Sequence, residues 1–114
     1  MNRKFFVSIE AAKLLKEKGY NEETDLVTDE DGYTFDKMYK TNQELPSELF
    51  SYPTKAEAID WLESNGKIIE VLQDYRGQWF YVIKEVCVSE YDNTYFSTRL
   101  EAEEAAIIKA LELL

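Results

Sequence analysis

The chain has 114 residues, which predicts one globular domain over 1–114, and its 45% hydrophobic and 14% aromatic content is that of a folding chain. Its 13 basic and 23 acidic side chains leave a net charge of −10, which repels the phosphate backbone of nucleic acid and the surface of an anionic membrane. With no histidine and a single cysteine, Cys87, it lacks the groups for Ser-His-Asp or Cys-His catalysis, for an internal disulfide and for the Cys and His ligand sets of the common zinc sites.

The first predicted element is a helix near 9–18. Ser8 is its N-cap, Ile9, Ala12 and Leu15 with Leu14 beside them form an apolar face, and Gly19 fits the left-handed stop. Residues 1–20 are basic, with Arg3, Lys4, Lys13, Lys16 and Lys18 against Glu10 and Glu17. The next stretch reverses the sign. Glu22, Glu23, Asp25, Asp29, Glu30, Asp31 and Asp36 follow with no basic residue among them. A solvated acidic loop is the plain reading, and a docking surface for a basic partner is the sharper one.

Asp29-Glu30-Asp31-Gly32 is a turn signal between Leu26-Val27-Thr28 and Tyr33-Thr34-Phe35, so a short strand or hairpin is expected near 26–40, with Met38 and Tyr39 extending its second arm. The turn fails as a calcium loop. Aligning Gly32 with the loop glycine puts Val27 and Met38 where oxygen ligands are needed. Pro46 and Pro53 bracket Leu49-Phe50-Ser51-Tyr52, read as a loop that lays aromatics on the core.

A second helix is expected near 54–65, started by the capping box Thr54-x-x-Glu57 and ended by Gly66. A hairpin then follows, with arms at about 67–73 and 78–88 and a turn at Asp74-Tyr75-Arg76-Gly77. The first half of the second arm, from Trp79 to Ile83, is apolar on both faces, as a strand covered on both sides would be. Trp79 and Tyr81 on one face could stack bases if exposed, but core packing is the default reading. Cys87 reads as a small buried hydrophobe of this arm. Ser89–Thr94 reads as a polar loop. Thr98-x-x-Glu101 then opens a helix near 98–113, with Ala102, Ala106, Ile107, Ala110, Leu113 and Leu114 on one broad face. The order predicts an α+β fold, a small antiparallel sheet covered by helices.

Several blocks together resemble a family of small acidic uncharacterised proteins carried by prophages and mobile elements of gut bacteria. They are Ala11-Ala12-Lys13-Leu14-Leu15 with Gly19-Tyr20, Pro53-Thr54 leading to Trp61-Leu62, the Ile68–Val71 strand, Trp79-Phe80-Tyr81-Val82-Ile83, and Phe96-x-Thr98-x-x-Glu101-Ala102 through Ala110-Leu111. The resemblance covers most of the chain, carries no site residues, and implies a cytoplasmic accessory protein. A cytoplasmic location also follows from the lone cysteine and from the lack of any apolar run near the ~20 residues of a membrane helix.

These readings predict no catalytic residue, no metal and no cofactor, and a non-catalytic protein-binding module. The seven carboxylates Glu22 to Asp36 are its candidate partner surface, and a homodimer through the 98–114 helix is a further expectation. The alternatives are an acidic mimic of nucleic acid that blocks a DNA-binding protein, and a weak nucleic-acid binder through the basic N-terminal helix.

Overall fold

The structure is a computed structural model that describes residues 2–36, 40–85, 89–91 and 94–114, with backbone only at 89–91. The expected roles of Met38, Tyr39 and Cys87 therefore lie outside the described residues. The fold is α+β, and the chain divides into two compact units, residues 1–54 and 55–114.

In the first unit a 3-10 turn, Arg3–Phe5, precedes helix α1, Ile9–Glu17. Ser8 Oγ accepts the Ala11 amide at 3.0 Å, one of the donors that a helix start leaves without a partner. The helix ends as the sequence predicts. Gly19 takes φ +96°, the Tyr20 amide donates to the Leu15 carbonyl at 2.9 Å, and the Gly19 amide donates to Lys16. That stop folds Tyr20 into the core, where it is 2% exposed, beside a helix face of Ala11, Ala12 and Leu15 at 0%.

Strands β1 (Leu26–Asp29), β2 (Thr34–Asp36) and β3 (Leu49–Ser51) form an antiparallel sheet in the order β2-β1-β3. The expected hairpin is thus present over Leu26–Asp36. The loop expected at 49–52 is replaced by β3, which packs on α1 and pairs Phe50 with Thr28. Phe50 and Tyr52 are buried and the Tyr52 amide donates to the Leu26 carbonyl at 2.9 Å, so burial of the aromatics and backbone pairing come together.

The second unit begins with α2, Lys55–Ser64, and closes it at Gly66 with the same stop: Lys67 N–H to Leu62 C=O at 2.9 Å and Gly66 N–H to Glu63 C=O at 3.0 Å. Strands β4 (Ile68–Gln73), β5 (Trp79–Lys84) and β6 (Ser89–Tyr91) make a second antiparallel sheet, a meander in that order. Helix α3, Arg99–Glu112, packs on β4, β5 and α2. Thr98 Oγ1 accepts the Glu101 amide and donates to the Glu101 carboxylate, so the predicted cap forms.

Three expectations are corrected here. The two hairpins belong to separate sheets, not to one. The strand expected over 78–88 ends at Lys84, and residues 86–88 lie outside the description. The loop expected over 89–94 holds β6 at 89–91.

The core of the second unit is Ala58, Leu62, Tyr81 and Ile83 with Ala102, Ala106, Ile107, Ala110 and Leu111 of α3. Alternation along β5 puts Tyr81 and Ile83 on the helix side, at 3% and 0% exposure, while Phe80 and Val82 on the other face are half-buried. The strand is therefore fully covered on one face only, where the sequence suggested two.

Both hairpins turn in one way. Asp29 Oδ1 accepts the amides of Asp31 and Tyr33 at 2.9 and 3.0 Å, and Asp74 Oδ1 accepts those of Arg76 and Gln78 at 2.9 and 3.0 Å. Each Asp carbonyl accepts the amide of a glycine three residues on, Gly32 or Gly77, both at positive φ.

Candidate interaction surface

The hairpin of the first unit divides the predicted acidic surface. Pairing of Leu26 with Asp36 puts Asp36 and the neighbouring Asp25 at one end, while Asp29, Glu30 and Asp31 form the turn at the other. Four strand residues separate the ends, about 10 Å at an antiparallel rise. Glu22 and Glu23 are exposed in the segment leading to the first end. Two of the seven carboxylates have internal work: Asp29 holds the turn, and Glu30 pairs with Lys13 at 2.6 Å. Glu22, Glu23, Asp25, Asp31 and Asp36 are exposed. Among the described residues no group of Asp, Glu or Cys is arranged to hold a metal ion.

The basic N-terminal residues also have internal partners. Arg3 donates to the Gly32 carbonyl at 2.7 Å, and the ion pair with Glu30 raises the Lys13 pKa. Lys16 donates to the carbonyls of Pro46 and Leu49 at 2.8 and 2.7 Å, with its ammonium 5.5 Å from the Phe50 ring centre. Burial lowers the Lys16 pKa, and Glu48 partly offsets that.

An open groove of about 510 Å³ runs past these groups, between Lys13, Lys16, Glu17, Glu30, Glu48 and Phe50. Ligand sites are mostly apolar with a few unengaged polar groups, and both lysines here are engaged already. The arrangement closes the edge of β3. Because Tyr52 and Phe50 pair toward β1, the Ser51 amide and Leu49 carbonyl point outward; Asn42 Oδ1 accepts the first at 2.9 Å and Lys16 takes the second.

The second unit presents a different surface. On the face of its sheet away from Tyr81 and Ile83 stand Ile68, Glu70 and Leu72 of β4, with Phe80, Val82 and Lys84 of β5. Ile68 and Leu72 are 43% and 42% exposed. Its two charges neutralise each other, since Lys84 pairs with Glu70 at 2.8 Å. The band continues through Tyr95, edge-on to Phe80 at 5.9 Å, to Arg76, whose guanidinium lies over both Tyr95 and Tyr75. Tyr75 is 96% exposed. Burial of Tyr81 removes the base-stacking face suggested by the sequence.

The second unit also buries charge. Lys55 is 7% exposed, and burial lowers its pKa while Glu104 and Glu103 of α3 partly restore it. Lys67 pairs with Glu85. The apolar side chains of α3 considered as a dimer face are fully buried at Ala102, Ala106, Ile107 and Ala110, while Leu114 is 39% exposed.

Sequence reasoning did not single out Ile68, Leu72, Phe80, Val82 and Tyr75 as a surface. The signal was present as alternation through Ile68-x-Glu70-x-Leu72, but which face a helix covers is a tertiary matter. Among the described residues no helix is long and apolar enough to cross a membrane. The chain matches no protein-family model, no curated protein and no solved structure.

Proposed function

We propose that the protein is a non-catalytic interaction module, an accessory protein of the cytoplasm whose ligand is another protein. The observation that carries this reading is the outer face of β4 and β5. Burying an apolar side chain gains about 25 cal/mol per Å², and Ile68 and Leu72 stand two-fifths exposed beside Phe80 and Val82 on a face with no net charge. Exposed tyrosines and an arginine at its end, Tyr75, Tyr95 and Arg76, are the side chains enriched at protein interfaces. The acidic residues Glu22, Glu23, Asp25, Asp29, Glu30, Asp31 and Asp36 then act at longer range, drawing a basic partner toward a chain of charge −10.

The test is capture of partners from a lysate of the source cell by tagged protein, with and without nuclease. The wild-type chain should retain a protein that survives nuclease, and the double variant Ile68→Lys, Leu72→Lys should lose it with its fold intact by circular dichroism. Equal capture by both chains would remove the sheet face from the reading. A chain that retains nothing, or only nucleic acid, would remove the reading itself.

A further inference from the structure

We infer that the free edge of β4 is a docking site for an extended, lysine- or arginine-bearing segment of a partner protein, which adds to the second sheet as a further strand. The inference rests on the interaction-module reading and specifies how the partner is held.

The Asp74 amide donates to the Gln78 carbonyl at 2.8 Å, which sets the alternation of the ladder. Ile68, Glu70 and Leu72 therefore direct their N–H and C=O groups to β5, and Ile69, Val71 and Gln73 direct theirs outward. The bridge between Trp79 and Phe96 agrees, since it uses the β5 groups that face away from β4. Among the described residues no hydrogen bond engages the outward backbone groups of Ile69, Val71 or Gln73.

Exposed edges invite pairing, and proteins guard them with proline, lysine, bulges or short strands. The first unit does so at β3, where Asn42 and Lys16 occupy the outward amide and carbonyl. β4 has no such guard. It is six residues long, in unbroken register with β5, without proline or lysine, and its one charge, Glu70, is matched by Lys84. Among the described residues β4 is the longest edge strand, with three residues described in each of β2 and β6.

Charge selects the occupant. α2 runs into β4 through Gly66 and packs on it, and it exposes Glu57, Asp60 and Glu63 while its one basic residue, Lys55, is buried. A second copy pairing antiparallel about Val71 would keep both helix layers on the same side and bring two acidic α2 helices together. Such like-charge juxtaposition opposes assembly. A basic strand reverses the sign of that interaction, and its alternate side chains would lie beside Ile68 and Leu72 on the open face.

The experiment uses the full chain, labelled with nitrogen-15, and a short synthetic peptide that alternates lysine with valine and threonine. Saturable binding should slow hydrogen exchange at the amides of Ile69, Val71 and Gln73 by about tenfold or more, a larger factor than at Ile68, Glu70 and Leu72, which β5 already protects. Val71→Pro deletes an outward donor and leaves the β4–β5 ladder whole but trims a half-buried side chain on the helix side, so its thermal midpoint should match that of Val71→Ala while its peptide affinity alone falls about tenfold or more. An acidic peptide of the same pattern should not bind, and added salt should weaken the lysine peptide. No binding of the lysine peptide at low salt, or binding that protects none of the three amides, overturns the proposal. If partners captured from lysate are retained equally by Val71→Pro, the edge is excluded and the interaction reading stands. If the wild-type chain captures nothing, that reading fails as well.

Discussion

Asp29 and Asp74 do the same job in two hairpins, and the second shows how the job can be measured. Burial alone would raise the Asp74 carboxyl, but the Gln78 amide and the Arg76 guanidinium and amide outweigh it and hold the group below its ordinary value of 3.8. A pKa lower in the folded than in the unfolded chain gives stability that is complete above pH 3.8 and is lost as pH falls through the folded value. Asp74→Asn keeps an oxygen for the two amides but cannot titrate. Thermal midpoints recorded against pH should therefore fall less steeply below pH 3.8 in the variant than in wild type. Lys16→Met tests the closed edge of β3. The aliphatic stem is kept while two carbonyls lose their donor, so urea titration should show a loss of about 1 kcal/mol. The roles of Ser8, Thr98, Gly19 and Gly66 were legible because each needs only its neighbours in sequence. Those of Lys16 and Asn42 were not, because their partners Leu49 and Tyr20 lie 33 and 22 residues away.

At the scale of elements, the helices were readable almost to the residue, since capping and periodicity are local signals. β3 and β6 were not. The three residues of β3 carry too little pattern to declare a strand, and its existence depends on a partner such as β1, as the described part of β6 depends on β5. The same limit hid the division into two sheets, since alternation reports a face and not a neighbour. Helix stops offer a clean test. Gly66 sits at φ +86°, and a Cβ there would meet nothing within 4 Å, so Gly66→Ala carries conformational strain without a clash. Its cost should be about 1 kcal/mol by urea denaturation, with the slope of the transition unchanged. The acidic stretch marks where sequence reading of the site stopped. Its seven residues are continuous in charge, yet the turn at Asp29 carries them to opposite ends of a hairpin.

For the whole molecule, a charge of −10 on 114 residues means that folding concentrates like charges. Self-repulsion of this kind lowers stability and is screened over about 8–10 Å at physiological salt. Raising sodium chloride from about 20 mM to about 200 mM should therefore raise the thermal midpoint by a few degrees, read by circular dichroism at neutral pH. A fall would mean that surface ion pairs such as Lys13–Glu30 and Lys84–Glu70 outweigh the net repulsion. The same imbalance sets the association rate with a basic partner, which should slow as salt rises.

The matched Asp-x-x-Gly turns also have a consequence for how the chain reaches its native state. Loops this short close within about 10–100 ns and hairpins form within about 1–10 μs, so each unit holds an early structure that waits on no distant contact. The slower events are those that join remote segments, such as the arrival of Leu49 beside Asp29 and of α3 on β4 and β5. Stop-flow traces should then show damage to either turn as slower refolding with little change in unfolding, and damage to Leu111 chiefly as faster unfolding.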